Sequence, residues 1–557
     1  MKKALLGIIC FFSFLTVLAQ QSGHDQTFTR ADTLRGMLSP LRSCYDINYY
    51  HLDIRVDIGN TSISGSNLFR FTATEDFKRL QFDLFDNYEI EKILYKNQSL
   101  EFTAEYDAVF IEFPETIKKG SIDEFQVFYS GSPVIARRAP WDGGFVFSED
   151  DNKAPWVGVA CQGLGASSWW PNKDHQSDEV DSILISVTVP RGLQDVSNGR
   201  LRSKEAMADG ATRFNWFVSY PINNYDVTLY IGDFTHFSDE FKGANGLLIL
   251  DYYVLRENLA KAKTHFEDVK RMLSCFEDWF GPYPFYRDGY KLVDAPYLGM
   301  EHQSAIAYGN GYKKGYEGKD LSGTGKGLTW DFIIVNESGH EWFGNNITAK
   351  DIADMWIHEA FTSYSESLFV ECNAGKNAAL QYIVGLRKNI RNDKAIVGPY
   401  NVNKEGSGDM YYKGSNVLHS IRTIIGNDET WKAILRGLNR DLGLKTTTTA
   451  EIISYINTHS GKNFSNVFEQ YLQHKNIPEL KLKVTSGNQL TYWWEADVKS
   501  FDMPARIQFS NDNNWIEIYP TTSPKTIKFK GKASDIKVDK ENFYIKSSIT
   551  SSKKTAL

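Results

Sequence analysis

The sequence predicts a multi-domain α+β protein, in which a β-rich part, a mostly helical part and a second β-rich part follow one another. Hydrophobic residues alternate with polar ones early in the chain, recur at three- and four-residue steps in the middle, and alternate again near the end. A length of 557 residues, with 42% hydrophobic and 24% charged residues, suits several globular domains and excludes a disordered chain.

The first β-rich part is predicted over residues 35–252 as an antiparallel β domain. Leu52, Ile54 and Val56 alternate with charged residues, which is typical of a strand with one buried face. Short aromatic-rich runs, separated by Gly, Asn and Asp, continue to about residue 252. They predict sheets arranged as a sandwich or a saddle.

Two changes of hydrophobic period divide the rest of the chain. Residues 253–476 read as mostly helical, and Gly281-Pro282 ends a first amphipathic helix. That helix is predicted by the apolar series Leu259, Ala262, Phe266, Val269, Leu273, Phe276 and Phe280. After Pro478 the alternation returns, which predicts a small β-sandwich over residues 477–548 and a polar tail over 549–557.

The N-terminus has the form of a secretory signal peptide over residues 1–19. Met1-Lys2-Lys3 is basic, and Val17-Leu18-Ala19 precedes Gln20 as a cleavage site would. The apolar run between them is shorter than the roughly 20 residues that span a bilayer, which argues against the alternative of a membrane anchor. We therefore expect export to the periplasm or the extracellular space, with no stable membrane span after cleavage.

Net charge indicates which partners to expect, and the cysteine content indicates whether disulfides are expected. The balance of 62 Lys+Arg against 69 Asp+Glu gives a net charge of −7, so a nucleic-acid partner is not expected. After signal cleavage Cys44, Cys161, Cys275 and Cys372 remain, far apart in the chain. An exported chain can form disulfides, but four scattered cysteines are not a disulfide scaffold, and we expect buried thiols.

A metal-binding motif is indicated by the segment Asn336-Glu337-Ser338-Gly339-His340. A zinc peptidase helix places two His four residues apart, so that both point at one metal, and a Glu directly after the first His lies beside the reacting water. Glu337 and His340 stand where such a motif needs them, but Asn336 occupies the first ligand position. By itself this string is weak, and the alternative is an ordinary helix with a surface Glu and a buried His.

Three other segments strengthen the motif through their order and spacing. Glu359 follows His340 by 19 residues, which allows a second helix to bring an oxygen ligand to the metal. Leu298-Gly299-Met300-Glu301-His302 precedes the motif, and Tyr411-Tyr412-Lys413-Gly414 follows it. If each residue is considered alone, Glu301 could be a solvated acid and Tyr411 a residue at the edge of a core.

Together these motifs resemble those of the aminopeptidase N-like zinc metallopeptidases, the gluzincin family, from Asp46 to at least Gly414. The family pattern is His-Glu-x-x-His, eighteen residues, then Glu, with Gly-x-Met-Glu-Asn before it and Tyr-Glu-Lys-Gly after it. The resemblance implies an N-terminal β domain, a thermolysin-like catalytic domain and a third, β-sandwich domain. We expect the fourth, helical-repeat domain of larger members to be absent.

The resemblance also implies a metal centre and a catalytic pair. His340 and Glu359 would be ligands of one zinc ion, and Asn336 would stand in place of the third ligand, a His. Glu337 would act as general base toward the metal-activated water. Tyr411 would donate a hydrogen bond to the oxyanion of the tetrahedral intermediate.

The remaining family residues imply a peptide substrate with a free N-terminus. Glu301 would hold the α-amine, and Gln162, which resembles a second amine-binding residue from the β domain, would assist it. Gly299 and Met300 would lie along the peptide backbone. These assignments describe an exopeptidase.

Two departures from the family pattern affect the expected activity. His302 replaces an Asn, and Asn336 replaces the first zinc His. An amide binds zinc less well than an imidazole, so the loss should cost at least the roughly 10–100-fold of a second-shell change. Neither His302 nor His358 has the i, i+4 relation to His340 that would make it a substitute ligand.

Several interpretations of the departure at Asn336 stay open. The chain is a weak zinc aminopeptidase that uses the Asn336 oxygen or a water as third ligand, a natural pseudo-peptidase, or a variant inactivated on purpose. We expect a zinc aminopeptidase that hydrolyses N-terminal residues, and the alternative is a catalytically dead peptide-binding homologue of the same fold. A carbohydrate-binding role for the aromatic-rich β parts is a third idea without a motif to support it.

Overall fold

The computed structural model describes residues 27–485, 488–510, 512 and 514–551. The predicted signal peptide, residues 1–19, lies outside them, and so does most of the predicted polar tail. Within these ranges, no helix has both the length and the hydropathy needed to cross a membrane. The boundaries of the three predicted domains stay predictions.

The first part of the chain consists of two short helices followed by fifteen strands among the described residues. The helices are α1 (Arg30–Gly36) and α2 (Pro40–Ser43). The strands are β1 (Tyr45–Asp57), β2 (Ser62–Ala73), β3 (Phe77–Asp83), β4 (Tyr88–Tyr95), β5 (Gln98–Ser99), β6 (Phe102–Glu105), β7 (Ala108–Ile117), β8 (Ile122–Gly131), β9 (Gly144–Glu149), β10 (Pro155–Ala160), β11 (Ile183–Val189), β12 (Gln194–Ser197), β13 (Arg200–Ala206), β14 (Thr212–Val218) and β15 (Leu229–Gly232).

These strands form three sheets around one hydrophobic core. The largest sheet has eight strands in the order β13-β14-β11-β1-β2-β8-β4-β5, and the others have the orders β12-β15-β10-β9 and β3-β7-β6. The alternation at Leu52, Ile54 and Val56 places all three in the core from β1, as predicted. The strands pair antiparallel, as predicted, except that β1 and β11 pair in parallel. Parallel neighbours need a long connection, and residues 58–182 provide it.

The middle part is mostly helical and contains a mixed sheet. Its elements are β16 (Phe234–Gly243), β17 (Gly246–Leu255), α3 (Leu259–His265), α4 (Asp268–Phe280), β18 (Tyr290–Asp294), β19 (Gly299–Met300), β20 (Ile306–Tyr308), α5 (Phe332–Gly339), β21 (Ile347–Ala349), α6 (Trp356–Ala374), α7 (Lys376–Leu386), α8 (Tyr412–Ile425), α9 (Asp428–Asp441), β22 (Lys445–Thr447), α10 (Thr449–Ser460) and α11 (Ser465–Leu472). The sheet order is β16-β17-β18-β20-β19, so β19 forms an edge.

The helix predicted over Leu259 to Phe280 is two helices. α3 ends at His265 and α4 begins at Asp268, and between them Phe266 leaves helical geometry with a ψ of 1°. The ring of Phe266 is buried against Tyr252 and Tyr308, which explains why its apolar spacing looked continuous. Gly281 ends α4 at a φ of 93°, a conformation that favours glycine, as the sequence predicted.

The last part of the chain forms two small sheets. Its strands are β23 (Glu479–Thr485), β24 (Gln489–Glu495), β25 (Ala505–Phe509), β26 (Ile516–Ile518), β27 (Lys525–Lys528), β28 (Ile536–Val538) and β29 (Lys546–Ser551). Sheet β27-β24-β23-β29 and sheet β26-β25-β28 share one hydrophobic core with the helical part. The predicted multi-domain α+β class is confirmed.

A disulfide joins Cys275 on α4 to Cys372 on α6, which corrects the expectation of four free thiols. Cys44 and Cys161 are free and buried, as predicted. The pairing was not visible in the sequence because the two cysteines are 97 residues apart.

Removing this disulfide should destabilise the protein. A cross-link that closes a loop of about 100 residues stabilises by roughly 4–5 kcal/mol in the chain-entropy account. We expect the double variant Cys275→Ser/Cys372→Ser to unfold at lower temperature than the unmodified protein, measured by calorimetry. A reducing agent should lower the unfolding temperature of the unmodified protein and leave the double variant unchanged. Equal unfolding temperatures with and without reductant would contradict this assignment.

A buried carboxyl at the end of β18 should make stability depend on pH. Asp294 is 3% exposed and accepts hydrogen bonds from Tyr312 Oη at 2.7 Å and Asn258 Nδ2 at 2.9 Å. Burial raises the pKa of Asp294 to about 6 from 3.8. Since the folded state holds this proton more tightly, its contribution to stability is present below pH 4 and is lost as pH rises through 6.

Asp294→Asn should remove that dependence. The two pKa values differ by about two units, which corresponds to about 3 kcal/mol. Urea unfolding of the unmodified protein and the variant at pH 4, 5, 6 and 7 measures the effect. We expect the stability of the variant relative to the unmodified protein to rise by up to that amount between pH 4 and 7. A constant offset at every pH would show that the carboxyl does not titrate in this range.

Candidate metal centre and amine-binding site

Helix α5 carries the first half of the candidate metal centre. Asp331 caps its N-terminus by accepting hydrogen bonds from Ile333 N at 2.9 Å and Ile334 N at 3.2 Å. The helix extends to Gly339, and His340 is its C-cap residue. Asn336 and His340 therefore lie one turn apart on the same face of α5.

Helix α6 brings a carboxylate to His340. Glu359 Oε2 lies 3.5 Å from His340 Nε2, and both side chains are almost fully buried. Two ligands bound tetrahedrally to one zinc ion at about 2.0–2.1 Å lie about 3.3–3.5 Å apart. The predicted pair is thus brought together at the separation that a shared metal ion requires.

The imidazole of His340 is oriented with Nε2 as its free donor atom. Its Nδ1 lies 3.1 Å from the carbonyl oxygen of Phe343, which can only accept, so the proton resides on Nδ1. Burial lowers the pKa of His340 to about 4, which keeps the ring neutral at pH 7. A neutral ring with a lone pair on Nε2 is the form that binds a metal.

Asn336, at the first ligand position, is held by a second carboxylate of α6. Its Nδ2 donates to Glu366 Oε1 at 2.8 Å, and Tyr382 Oη donates to Glu366 Oε2 at 2.7 Å. Because the amide nitrogen is bound to Glu366, the oxygen Oδ1 is the one atom of Asn336 that could bind a metal.

The residues present fit a zinc ion, but with one weak ligand. His340 and Glu359 supply nitrogen and oxygen donors of the kind zinc prefers. An amide oxygen suits hard cations such as Mg²⁺ and Ca²⁺ better than zinc. Asn336 is therefore a poor replacement for an imidazole.

Glu337 lies beside both the metal ligands and the edge strand β19. Ligand atoms of Glu301, Glu337 and His340 lie within 4.8 Å of one another. A Cβ added to Gly299 would come 2.8 Å from Glu337 Oε1, so glycine lets the strand approach the carboxylate. Burial, followed by the charge of Glu301, raises the pKa of Glu337. Crowded buried carboxylates of this kind favour a bound cation.

Glu301 is the centre of a second group of contacts. Gln162 Nε2, from the N-terminal β part, donates to Glu301 Oε1 at 2.5 Å, and Tyr225 Oη lies 3.3 Å from the same oxygen. Asn345 Nδ2 donates to the Glu301 carbonyl at 2.8 Å and fixes its backbone. A buried carboxylate held in this way is suited to bind an ammonium group.

Tyr411 lies at the start of α8, next to the metal ligands. Its hydroxyl is close enough to Glu359 to hydrogen-bond and to lower the pKa of that carboxyl, against the larger effect of burial. A Cβ at Gly414 would come 2.5 Å from the Cβ of Ala360, so this glycine lets α8 pack tightly on α6. The predicted residues of the centre therefore converge from α5, α6, α8 and β19.

Neither alternative ligand lies in the group. His302 Nδ1 lies 2.6 Å from Tyr230 Oη, and His358 Nε2 accepts a hydrogen bond from Ala349 N at 2.8 Å. Both side chains are buried in these contacts. The expectation that they do not replace the missing His agrees with this geometry.

Sequence reasoning missed three contributors, Glu366, Tyr225 and Asn345. Glu366 follows Glu359 by two helical turns on α6, and that spacing was the one signal available in the sequence. Tyr225 and Asn345 contact Glu301 only through the tertiary fold.

One cavity of the protein lies away from this centre, on another face of α6. It measures about 790 Å³ and is lined by Tyr364, Leu368 and Glu371 of α6. These residues lie on the face of α6 opposite to Glu359. The cavity contacts none of the predicted site residues.

Comparison with known proteins identifies an M1 peptidase domain in the helical part of the chain. Residues 264–471 match the Peptidase family M1 domain. This segment is an M1 peptidase domain, and the chain is similar to the aminopeptidase N-like zinc metallopeptidases. The resemblance seen in the sequence is thereby confirmed, and zinc is the cofactor of this family.

Two curated relatives show how much of the length of a related protein this chain covers. Probable aminopeptidase 1 of Sulfurisphaera tokodaii is 21% identical over 423 residues, 72% of this chain and 49% of that protein. Aminopeptidase N of Haemophilus influenzae is 22% identical over 333 residues, 57% of this chain and 37% of that protein. The chain spans about half the length, or less, of the curated relatives it matches.

Solved structures share the fold. The M1 zinc metallopeptidase of Deinococcus radiodurans is similar with a TM-score of 0.65 and 18% identity, over 78% of this chain and 95% of that one. A mutant of the same protein, bound to a Tyr-Ser-Ala substrate, gives a TM-score of 0.66 at 18% identity. It covers 80% of this chain and 98% of that one.

Proposed function

We propose that this M1 chain is a zinc-dependent aminopeptidase that hydrolyses the N-terminal residue of peptides, and that Asn336 impairs its turnover. The observation that carries the proposal is the arrangement of two groups side by side. One is the ligand pair His340 and Glu359, 3.5 Å apart. The other is the carboxylate of Glu301, which lies within 4.8 Å of His340.

The metal site is made by residues from two helices. His340 and Glu359 would hold the zinc ion, with Asn336 Oδ1 as the remaining protein ligand. Zinc, when bound, lowers the pKa of a water molecule and polarises the carbonyl of the scissile bond. The weak donor at Asn336 is the reason to expect a low zinc affinity and a low rate.

The chain's own residues perform the proton transfers. Glu337 would accept a proton from the attacking water and deliver it to the leaving amine. Tyr411 would donate a hydrogen bond to the oxyanion that develops on the carbonyl oxygen. Glu337 is buried and Tyr411 is half-buried in the protein, where a low dielectric strengthens such contacts.

Substrate binding explains why the cleavage would remove one residue. Glu301, supported by Gln162 and Tyr225, would pair with the α-ammonium group of the peptide. Gly299 and Met300 form the edge strand β19, whose free side can pair with an extended peptide. Fixing the amine at Glu301 places the first peptide bond next to Glu337, which lies against Gly299.

A second candidate is a peptide-binding homologue without catalysis. The observation that favours it is the hydrogen bond from Asn336 Nδ2 to Glu366, which satisfies the amide without a metal. The carboxylate of Glu301, the proposed amine-binding group, is held by Gln162 and Tyr225 in the same chain. This candidate predicts binding of free-amine peptides and no hydrolysis.

We also propose that the chain is exported to the periplasm or the extracellular space. The support is the signal-like sequence of residues 1–19 and the disulfide between Cys275 and Cys372. Disulfides persist in oxidising compartments and are rare in the cytosol.

An assay on alanyl arylamides separates the two candidates. We expect slow hydrolysis that a chelator abolishes and added zinc restores, and no hydrolysis of the N-acetylated arylamide. Glu337→Gln should abolish the activity, because it removes the base and keeps the shape. Activity that is absent, or insensitive to the chelator, would contradict the enzymatic proposal and leave the peptide-binding one.

A further inference from the structure

The edge strand fixes the direction in which a bound peptide must run. The α-amine is held at Glu301, and Glu337 contacts the strand at Gly299. Because the first peptide bond lies between these two points, the rest of the peptide continues past Gly299 toward Leu298. At about 3.4 Å per residue, the third or fourth residue reaches Leu298. This argument rests on the proposed function.

A groove lies at that end of the strand. It measures about 360 Å³, within the usual size of ligand pockets, and we call it the downstream groove. Its lining includes Trp141, Trp156, Tyr297, Leu298, Tyr312 and Glu317. Leu298 directly precedes Gly299, so the groove continues the free edge of β19 without a gap in the chain.

The polar atoms of the aromatic lining are already bound within the protein. Trp156 Nε1 donates to the Asp294 carbonyl at 3.1 Å, Tyr312 Oη to the Asp294 carboxylate at 2.7 Å, and Tyr297 Oη to the Val159 carbonyl at 2.9 Å. These contacts fix the three side chains, and their rings rather than their polar atoms are available to a ligand.

Trp141 completes the groove from the N-terminal β part. Its side chain is 63% exposed, which is unusual for an indole. Asp142, the next residue, accepts hydrogen bonds from the backbone N–H groups of Arg137 and Arg138, each at 2.8 Å. The loop that presents Trp141 is thus held in place before any ligand arrives.

We propose that the downstream groove binds the third and fourth residues of the substrate peptide and selects large apolar or aromatic side chains there. Aromatic rings stack on aromatic and apolar side chains, and burying Trp141 removes its surface from water. Asp294 and Glu317 are among the residues that line the same groove, so acidic residues are disfavoured at these positions. The chain therefore acts on peptides of four or more residues in preference to dipeptides.

Calorimetry on the full chain tests the groove without relying on turnover. The probes are dialanine, tetra-alanine, Ala-Ala-Phe-Phe and Ala-Ala-Asp-Asp, with mass spectrometry to confirm that each stays intact. We expect Ala-Ala-Phe-Phe to bind about tenfold more tightly than dialanine, and Ala-Ala-Asp-Asp to show no such gain. Trp141→Ala should abolish the gain and leave dialanine unchanged, and Trp141→Phe should keep most of it.

A matched control and one further variant separate the groove from the amine site. Trp515, another exposed Trp at 38%, lies far from β19 in the sequence, and Trp515→Ala should change no affinity. Glu301→Gln should weaken all four peptides. If Glu301→Gln weakens binding but Trp141→Ala matches the unmodified protein on every peptide, the groove proposal is overturned and the proposed function stands. If Glu301→Gln changes no affinity, or no peptide binds, amine recognition fails and the groove proposal with it.

Discussion

Asn336→His is expected to raise the zinc affinity of the chain by at least about 10–100-fold and to raise its aminopeptidase rate with it. The substitution replaces an amide oxygen with an imidazole nitrogen, one turn before His340 on the same face of α5. Glu366, which now accepts a hydrogen bond from Asn336 Nδ2, can accept one from the new ring and orient it. Competition with a chromophoric chelator measures the affinity, and alanyl arylamide hydrolysis measures kcat/KM.

Asn336→Gln is the matched control for this prediction. It keeps an amide and adds only length, so zinc affinity and rate should stay near those of the unmodified chain. If Asn336→His raises neither quantity, the assignment of His340 and Glu359 as a ligand pair is wrong. If the glutamine variant gains as much as the histidine variant, donor chemistry is not the limiting factor.

Glu301→Gln is expected to weaken the binding of free-amine peptides by about 10–100-fold. The change removes a buried negative charge opposite the ammonium group while keeping an acceptor for Gln162 Nε2. Charge-assisted hydrogen bonds contribute about 1.5–3 kcal/mol, which corresponds to this range. Calorimetry with a peptide and its N-acetylated form measures it, and only the free amine should lose affinity.

Tyr225→Phe provides a graded comparison at the same site. Tyr225 Oη lies 3.3 Å from the oxygen that Gln162 also contacts, and the carboxylate charge survives its removal. We therefore expect a smaller loss, on the order of a few-fold. Equal affinity of the unmodified chain for free and acetylated peptides would exclude amine recognition altogether.

The order of the three parts was predictable because the hydrophobic period changes from two residues to three or four, and then back to two, along the chain. Leu52, Ile54 and Val56 are buried in β1, and Leu480 and Leu482 are buried in β23. Period reports which face is buried, but it does not report which strand lies beside which. The parallel pairing of β1 with β11, over more than a hundred residues, was for that reason not predictable.

The metal centre was predictable to the extent that it depends on helical spacing. Asn336 and His340 share a face of α5 through helical spacing alone, whereas Glu359 reaches them because α6 packs against α5. Contacts made only by tertiary packing were missed. Tyr225 reaches Glu301 from the N-terminal part.

Two local features were predicted wrongly from the sequence, and each error has a physical reason. Apolar spacing continued through Phe266, where the helix breaks, because the ring is buried against neighbouring tyrosines rather than along one helix face. Cys275 and Cys372 meet only because α4 packs against α6. The hydrophobic period of the sequence indicates neither the helix break nor the disulfide pairing.

The central claim is that Asn336, His340 and Glu359 form a weakened zinc site. Zinc titration of the chelator-treated chain, followed by calorimetry, tests it most directly, with His340→Ala as the paired variant. We predict one zinc ion per chain, bound more weakly than by Asn336→His, and no binding at this site in His340→Ala. Zinc binding that His340→Ala leaves unchanged, or no binding to the unmodified chain, would contradict the claim.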